Sequence, residues 1–347
     1  MMQNDFDQLR NQLYTQYFHF LETNTSPTDE YLMQLFAFQY KYNTIYHSYC
    51  KNLNIKLDDV AQIGQIPYLP ISAFKHHGVK TGDFDSQEVF LSSGTTGSIR
   101  SIHHIRNLDH YHKNTEMIWS SRFGDLSQYC FLALLPGYLE RDGSSLISMV
   151  DYFVKKSQFS QSGFFLRDHQ ELYETIKSCQ KDGIPVVLFG VTYGLLDFTE
   201  RFSDDYSDLI IIETGGMKGM RKEMTKEALH QVLYERTQCL QILSEYGMTE
   251  LMSQAYTDGT TKFKPNLSLR MVTHQINDPL MPEKVGKPGI ICISDLANID
   301  SCAFIQTEDI GILYENGEFE ISGRLEASDW RGCNLLLDEL RTFEYKS

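Results

Sequence analysis

Two short apolar runs, residues 185–190 (PVVLFG) and 208–213 (DLIIIE), decide the fold of this chain. Apolar residues recur at helical spacing before the first run, over 169–181, and between the two runs, over 191–201. Continuous apolar runs that alternate with helices are typical of strands buried in a largely parallel sheet, which the helices cover. The sequence therefore predicts an α/β protein.

The same alternation extends over most of the chain. Apolar runs predict strands at 88–91, 130–135, 184–189, 209–212, 240–243, 267–272 and 290–293. Helical spacing predicts helices at 108–120, 145–156, 169–181, 191–201 and 221–236. Near the end, the runs 311–314 and 319–321 flank Asn316-Gly317, a pair typical of a type I′ hairpin turn. The carboxyl third is therefore predicted to be richer in β-structure.

Three parts are predicted along the chain. Residues 1–85 form a helical N-terminal region, since apolar residues recur at helical spacing over 6–21 and 31–42. Residues 86–325 form the α/β core, and residues 326–347 form a short carboxyl-terminal segment that carries Cys333.

Composition limits the classes of function. The chain has 347 residues with a net charge of −15, which argues against binding to nucleic acid or to anionic membranes. It contains no apolar run long enough to span a bilayer, and its amino end lacks the features of a secretory signal. Its seven cysteines include no CxxC pair, so reduced thiols are expected. We therefore expect a cytoplasmic protein.

A loop rich in hydroxyl groups follows the predicted strand 88–91. Residues 92–98 (SSGTTGS) contain five hydroxyl side chains and two glycines, which can direct N–H and O–H groups at one anion. No lysine follows the second glycine, so this is not the GxxxxGK[ST] phosphate loop. Taken alone, the segment is equally compatible with an ordinary surface turn.

Three later segments complete a pattern that resembles the adenylate-forming superfamily. The loop SSGTTG resembles its phosphate-binding motif, and residues 244–250 (SEYGMTE) resemble its YGxTE motif. Residues 307–309 (TED) resemble its TGD motif, and residues 322–324 (SGR) its hinge motif. The four segments occur in the order found in that superfamily. Each segment alone is a weak sign of the superfamily, but the four together are a specific one.

Within the superfamily, the chain is most similar to the LuxE-type acyl-protein synthetases, and more distantly to the phenylacetate–CoA ligases. The similarity is carried by residues 68–75 (YLPISAFK), 134–146 (LLPGYLERDGSSL) and 329–334 (DWRGCN). It implies the fold of the large N-terminal domain of an adenylate-forming enzyme, with mostly parallel sheets flanked by helices and a β-rich carboxyl part. It also implies ATP and Mg²⁺ as cofactors.

The resemblance assigns roles to individual residues. It implies that Tyr246 lies against the adenine ring, that Asp309 accepts hydrogen bonds from the ribose and that Arg324 contacts ribose or phosphate near the hinge. It implies that Thr249 binds the α-phosphate and that Glu250 binds Mg²⁺, with Thr249, Glu250, Arg324 and Cys333 as the catalytic set. The implied nucleotide-binding residues are Ser92, Ser93, Gly94, Thr95, Thr96, Gly97, Gly215, Gly216, Tyr246, Gly247, Thr249 and Asp309.

The implied reaction has two halves. A carboxylate, by analogy a fatty acid, would attack the α-phosphorus of ATP, and the acyl group would then pass to Cys333 and on to a reductase subunit. Larger relatives carry a catalytic lysine in a small C-terminal domain, which we expect to be absent here; Lys218 is a candidate substitute. Cys333 could instead be a small buried hydrophobic residue.

Two other functions fit the same motifs. One is a CoA ligase of the phenylacetate type that acts on an aryl acid, and the other is a non-catalytic nucleotide-binding subunit of a fatty-acid reductase complex. A metal site formed by His103, His104, His110 and His112 is less favoured, because their spacing does not complete a coordination shell with carboxylates. A substrate-pocket or acyl-transfer role for one of these histidines is preferred.

Overall fold

The computed structural model describes residues 2–93, 99–135, 143–166, 168–215 and 224–325. The helices are α1 (Met2–Thr23), α2 (Asp29–Tyr42), α3 (Thr44–Asn52), α4 (Ala73–His76), α5 (Leu108–Phe123), α6 (Ser145–Lys156), α7 (His169–Lys181), α8 (Thr192–Arg201) and α9 (Lys226–Thr237). The strands are β1 (Leu69–Pro70), β2 (Glu88–Leu91), β3 (Ile102–Ile105), β4 (Cys130–Leu134), β5 (Gly163–Phe164), β6 (Val186–Val191), β7 (Ile210–Thr214), β8 (Gln241–Tyr246), β9 (Ala255–Thr257), β10 (Phe263–Lys264), β11 (Leu269–His274), β12 (Pro288–Asp295), β13 (Phe304–Leu313) and β14 (Phe319–Arg324).

The chain forms two compact units. The antiparallel-sheet unit comprises the described residues up to Asn114, Thr249–Ser253 and those from Pro265 onward. The parallel-sheet unit comprises the described residues of Thr115–Met248 and Gln254–Lys264. All of the predicted N-terminal region falls within the first unit. The three-part division at residues 85 and 325 stays a prediction, since residues 326–347 lie outside the described part of the chain.

The parallel-sheet unit confirms the fold class predicted from its apolar runs. Its strands lie in the order β10-β9-β8-β7-β6-β4-β5, and the pairs from β8 to β5 are all parallel. Every residue of β6 and β7 is buried, as expected for strands covered on both faces. On one face, Leu172 of α7, Leu195 of α8 and Leu233 of α9 share a cluster with Leu188 and Ile211 of the sheet.

The antiparallel-sheet unit confirms that the carboxyl third is rich in β-structure. Strands β11, β12, β13 and β14 pair in antiparallel fashion in that order, β1 pairs parallel with β13, and β2 and β3 form a separate hairpin. Helices α1, α2 and α3 belong to this unit. Thr28 caps α2 by accepting from Tyr31 N (3.2 Å), and Asn43 caps α3 by accepting from Tyr46 N (2.9 Å).

The turn between β13 and β14 corrects one prediction. The hairpin forms where it was predicted, but the type I′ turn is wrong, because such a turn needs positive φ at both Asn316 and Gly317. Only Gly317 has positive φ, at 82°. Gly317 N donates to Tyr314 O (2.9 Å) and Tyr314 N donates to Glu318 O (2.8 Å), so the loop is a longer turn closed by a glycine.

Among the residues that the structure describes, no helix combines the length and hydrophobicity needed to cross a membrane.

Candidate active site

Glu250 lies in the short irregular segment between β8 and β9 and is only 5% exposed. Burial raises the pKa of its carboxyl group, and a hydrogen bond from Ser101 with the charges of Arg324 and Lys75 offsets only part of that rise. Within the described part of the chain, neither of these cations forms an ion pair with Glu250. A buried carboxylate in this state is well suited to a hard divalent cation.

Charged side chains from three other elements of the antiparallel-sheet unit contact one another, and two of them, Lys75 and Arg324, act on Glu250 through their charge. Lys75 Nζ of α4 lies 3.2 Å from Glu308 Oε1, and Arg324 NH2 at the end of β14 lies 3.2 Å from Glu308 Oε2. Arg324 Nε lies 3.8 Å from Asp309 Oδ1, because Asp309 and Arg324 are register partners across β13 and β14. Since Lys75 and Arg324 both act on Glu250, the unit brings Asp309, Arg324 and Glu250 into one electrostatic neighbourhood.

The first residue of the hydroxyl loop connects to the same neighbourhood. Ser92 Oγ accepts from Ser101 N (2.8 Å), and Ser92 N donates to Ser101 O (3.1 Å). Ser101 in turn hydrogen-bonds Glu250. The side chain of Ser93 is exposed. The remaining predicted loop residues, Gly94, Thr95, Thr96 and Gly97, lie outside the described residues.

Three predicted nucleotide-binding residues lie together in the parallel-sheet unit. Parallel pairing of β7 with β8 places Thr214 opposite Glu245, so Gly215 and Tyr246 follow at the same edge of the sheet. Gly215 has a φ of 74°, a conformation that favours glycine. The Tyr246 ring packs against Phe263 with their centroids 5.6 Å apart.

Gly247 closely approaches the side chain of Glu245. A Cβ atom at position 247 would lie 2.5 Å from Glu245 Oε1. Glu245 is buried and accepts a hydrogen bond from Thr214 Oγ1, and burial raises its pKa to about 7. The Glu245 carboxyl group therefore lies close to the backbone of Gly247.

A second buried carboxylate, Glu213, lies one residue before Thr214 at the end of β7. It is 1% exposed and accepts hydrogen bonds from Lys226 Nζ (2.8 Å), Thr192 Oγ1 (2.9 Å) and Ser244 Oγ. Burial alone would raise its pKa, but contacts with His230, Lys226 and Ser244 lower it to about 2. Glu213 is therefore a fully partnered anion.

Several functional candidates were missed from the sequence. Lys75 and Glu308 both stand inside motifs that were quoted for the family resemblance, residues 68–75 and 307–309, but neither was singled out. Ser101 belongs to none of the motifs, and only its position after the hydroxyl loop could have drawn attention to it. The predicted residues Gly216, Lys218 and Cys333 lie outside the described part of the chain.

Three of the four histidines considered for a metal site contact other groups. His103 Nδ1 donates to Thr249 O (2.8 Å), His104 Nδ1 lies 3.0 Å from Ser86 Oγ, and the His110 ring packs against Tyr14. Among the described residues, no group of three or more His, Cys, Asp and Glu side chains could hold a metal ion. A Mg²⁺ ion at Glu250 would therefore take its other ligands from phosphate oxygens and water.

Known structures share the fold of this chain. ATP-bound MatB from Rhodopseudomonas palustris matches with a TM-score of 0.52 and 16% identity, over 68% of this chain and 47% of MatB. The open conformation of 2-hydroxyisobutyryl-CoA ligase in complex with 2-HIB-AMP and CoA matches with a TM-score of 0.64 and 10% identity, over 85% of this chain and 69% of that one. The chain thus spans about half the length of MatB, and it has the fold of the adenylate-forming ligases.

A curated relative with a similar sequence adds to the likeness in fold. The long-chain-fatty-acid–luciferin-component ligase of Aliivibrio fischeri is 25% identical over 337 residues, which cover 88% of this chain and 86% of that protein. No family model matches the chain. The relative and the two structures are ligases, and together they confirm the resemblance that the four motifs predict.

Proposed function

We propose that this chain activates a carboxylic acid with MgATP to give an acyl adenylate and pyrophosphate. The observation that carries the proposal is the state of Glu250, a buried carboxylate whose pKa is raised and which shares its neighbourhood with Asp309, Arg324 and Lys75. A bound divalent cation would compensate this charge, and the cation would arrive with the nucleotide.

Residues of the antiparallel-sheet unit would bind the ribose and the phosphates. Glu250 would hold Mg²⁺, which would supply positive charge to offset the phosphate oxygens. The Thr249 and Ser92 hydroxyls donate to phosphate oxygens, and Asp309 accepts from the ribose hydroxyls. Arg324 and Lys75 supply positive charge from this unit, a contribution that the sequence suggested for Lys218.

The resemblance assigns the base to Tyr246 and to the glycines near it in sequence or at the same sheet edge. The Tyr246 ring offers a flat face for stacking on adenine. Gly215, Gly216 and Gly247 carry no Cβ atom, so that the base can approach the backbone closely. This role agrees with the position of Gly215 and Gly247 just after the carboxyl ends of β7 and β8, where ligands of open α/β sheets bind.

The first half-reaction is a displacement at phosphorus. A carboxylate oxygen of the substrate bonds to the α-phosphorus while the bond between that phosphorus and the bridging oxygen of pyrophosphate breaks. Because two anions must approach each other, catalysis consists mainly of positioning and charge neutralisation. The cations and hydroxyl donors of the site supply both.

In the second half-reaction, we propose that the Cys333 thiolate attacks the acyl carbon. A thioester forms, the acyl–phosphate bond breaks and AMP leaves. The six described cysteines are all buried, and burial raises the pKa of five of them, to about 12 for Cys50 and Cys179. Burial makes all six unsuitable as nucleophiles for an acyl adenylate. This agrees with the resemblance, which assigns the acceptor role to Cys333.

The name of the Aliivibrio relative supports a long-chain fatty acid as the substrate. Each methylene group buried in an acyl pocket contributes about 0.8 kcal/mol, so activation should increase with chain length until the pocket is full. The resemblance to LuxE-type enzymes supports an acyl-reductase subunit as the protein that receives the acyl group from Cys333.

The test is an incubation of the purified chain with MgATP and radiolabelled acids, in which pyrophosphate release and label on the protein are measured. We expect acid-dependent pyrophosphate release with fatty acids of increasing chain length and a hydroxylamine-labile label on the chain. Release of acyl-CoA on addition of CoA, with no label on the chain, would indicate a CoA ligase. ATP binding without pyrophosphate release for any acid would indicate a non-catalytic subunit.

A matched pair of cysteine variants tests the acceptor. We expect Cys333→Ala to keep pyrophosphate release and lose the covalent label. Cys130→Ala, which changes a buried thiol of β4, should keep both. Labelling of Cys333→Ala at the level of the unmodified chain would refute the assignment.

A further inference from the structure

The backbone of Thr249–Ser253 is held by side chains rather than by strand pairing. The segment lies between the end of β8 and the start of β9, yet it belongs to the antiparallel-sheet unit. Polar backbone atoms of Thr249, Glu250, Met252 and Ser253 each bond to a side chain of that unit. We call the four side chains that hold the segment the clamp: His103, Asn114, Asp295 and Asn298.

Two members of the clamp hold the residues proposed to bind phosphate and Mg²⁺. His103 Nδ1 donates to Thr249 O (2.8 Å), and Asn298 Nδ2 donates to Glu250 O (2.8 Å). The two side chains also face each other, with His103 Nε2 at 3.2 Å from Asn298 Oδ1. The carbonyl groups of Thr249 and Glu250 are thus fixed by one connected pair.

The other two members hold the far end of the segment. Asp295 accepts from Met252 N (2.6 Å) and Ser253 N (3.1 Å), and Asn114 Nδ2 donates to Met252 O (2.8 Å). Asn114 is as fully buried as His103 and also contacts Ser253 Oγ (3.0 Å). Asn114 therefore contributes similar burial and hydrogen bonding without a contact to Thr249 or Glu250.

His103 connects the clamp to the hydroxyl loop. It lies on β3, two residues after Ser101, whose side chain hydrogen-bonds the Glu250 carboxylate. The imidazole is 1% exposed and packs edge-on against Phe74 of α4, with centroids 5.8 Å apart. Strand β3 and the residue just before it therefore hold Glu250 through its carboxylate and the neighbouring Thr249 through its carbonyl.

We propose that His103 and Asn298 are positioning residues that fix the Thr249 hydroxyl and the Glu250 carboxylate relative to Ser101 and Ser92. This inference rests on the proposed function. Neither side chain takes part in the chemistry. Their effect follows from the steep dependence of rate on the position of reacting groups, where an error of about 1 Å costs on the order of a hundredfold in rate.

The test compares three single variants in acid-dependent ATP–pyrophosphate exchange and in MgATP binding by calorimetry without acid. His103→Leu removes the donor to Thr249 O but keeps the apolar volume. We expect kcat to fall about thirtyfold and the Mg²⁺ concentration for half-maximal exchange to rise several-fold. His103→Asn offers an amide N–H in place of Nδ1, and we expect it to restore most of kcat.

Asn114→Ala is the matched control. We expect it to lower the melting temperature at least as much as His103→Leu, with kcat within about threefold of the unmodified chain and an unchanged Mg²⁺ dependence. Asn298→Ala should behave like His103→Leu in both assays. Calorimetry should show weaker MgATP binding for His103→Leu and Asn298→Ala, and unchanged binding for Asn114→Ala.

The inference and the proposed function fail in different ways. If the unmodified chain shows no acid-dependent exchange, the proposed function is wrong, while calorimetry still tests the clamp through MgATP binding. If the unmodified chain is active but His103→Leu and Asn114→Ala lose activity and binding equally, in proportion to their melting temperatures, the clamp is only structural. Failure of His103→Asn to exceed His103→Leu would also overturn the inference.

Discussion

Glu213 and Glu250 are both buried glutamates, 1% and 5% exposed, but they have opposite electrostatic environments. In the parallel-sheet unit, Glu213 is hydrogen-bonded by Lys226, Thr192 and Ser244, and its pKa falls to about 2. In the antiparallel-sheet unit, burial raises the pKa of Glu250. The difference shows that burial does not decide the role of a carboxylate, whereas its partners do.

The physical basis of this difference is charge compensation. An ionised carboxylate buried in a protein is costly unless a cation and hydrogen-bond donors compensate it. Lys226 Nζ compensates Glu213 at 2.8 Å, so that side chain stabilises the fold. Glu250 has a hydrogen bond from Ser101 and only more distant charges from Arg324 and Lys75, so we infer that its compensation comes from a ligand.

The largest effect is expected from Glu250→Gln. The substitution keeps the shape of the side chain and the backbone contacts but removes the charge proposed to bind Mg²⁺. We expect acid-dependent exchange to fall about a thousandfold, while the melting temperature stays the same or rises because a poorly compensated buried charge is gone. Exchange at close to the original rate would remove Glu250 from the metal site.

Glu213→Gln should show the reverse pattern. It leaves Lys226 without its anionic partner, and we expect a loss of about 4 kcal/mol in unfolding free energy by urea denaturation. Activity per folded molecule should change less than about tenfold. The double variant Glu213→Gln/Lys226→Met, which removes both charges, should recover part of the stability; a double variant less stable than Glu213→Gln would contradict this reading.

A third buried glutamate, Glu245, extends the comparison, because its raised pKa should make the stability of the fold depend on pH. Its pKa is about 7 in the folded chain, above its ordinary value, so the folded state binds more protons than the unfolded state. Stability should therefore fall as pH rises through 4.5 to 7, by about 3 kcal/mol from this group. Glu213 and Lys226 both act on this carboxyl group, and Glu213, with its pKa lowered to about 2, stays ionised in that range.

We expect Glu245→Gln to remove this fall. Unfolding free energies of the two chains, measured between pH 5 and pH 8 (about the range in which the carboxyl group ionises), should diverge in favour of the variant as pH rises. If the unfolding free energies of the two chains changed with pH in parallel over that range, the pKa of Glu245 would not be raised in the folded chain.

The smallest effect is expected from Gly247→Ala. The added Cβ would meet Glu245 Oε1 at 2.5 Å, but a carboxylate at the end of a side chain can shift, so we expect a loss of about 1 kcal/mol in stability. Gly323→Ala is the control, because its Cβ would have no neighbour within 4 Å. Equal melting temperatures for the two variants would show that the close approach of Gly247 to Glu245 does not affect the stability of the chain.

Local features were predicted well from the sequence. Helices α6 and α7 begin and end at the predicted residues, because Ser144 and Asp168 cap them and their apolar residues follow one face. The prediction of a type I′ turn was wrong. Gly317 N donates back to Tyr314 O, so the bend includes the residues between them, and Asn316 keeps negative φ. Such a choice between turns depends on strand register, which short sequence patterns do not fix.

The candidate site was only partly predictable. Glu250, Asp309 and Arg324 were found through motifs, and the structure places them in one unit. The contact between Lys75 and Glu308 joins residues 233 positions apart, and the contact between His103 and Asn298 joins residues 195 apart. Side-chain contacts over such separations depend on the packing of α4, β3 and the segment after β12, for which a single sequence contains no local pattern.

The most direct measurement is the Mg²⁺ dependence of fatty-acid-dependent ATP–pyrophosphate exchange in the unmodified chain, Glu250→Gln and Glu213→Gln, below the melting temperature of each. We expect saturable activation by Mg²⁺ in the unmodified chain and in Glu213→Gln, and no recovery of Glu250→Gln at any Mg²⁺ concentration. Identical Mg²⁺ activation in Glu250→Gln and the unmodified chain would contradict the assignment of the two glutamates.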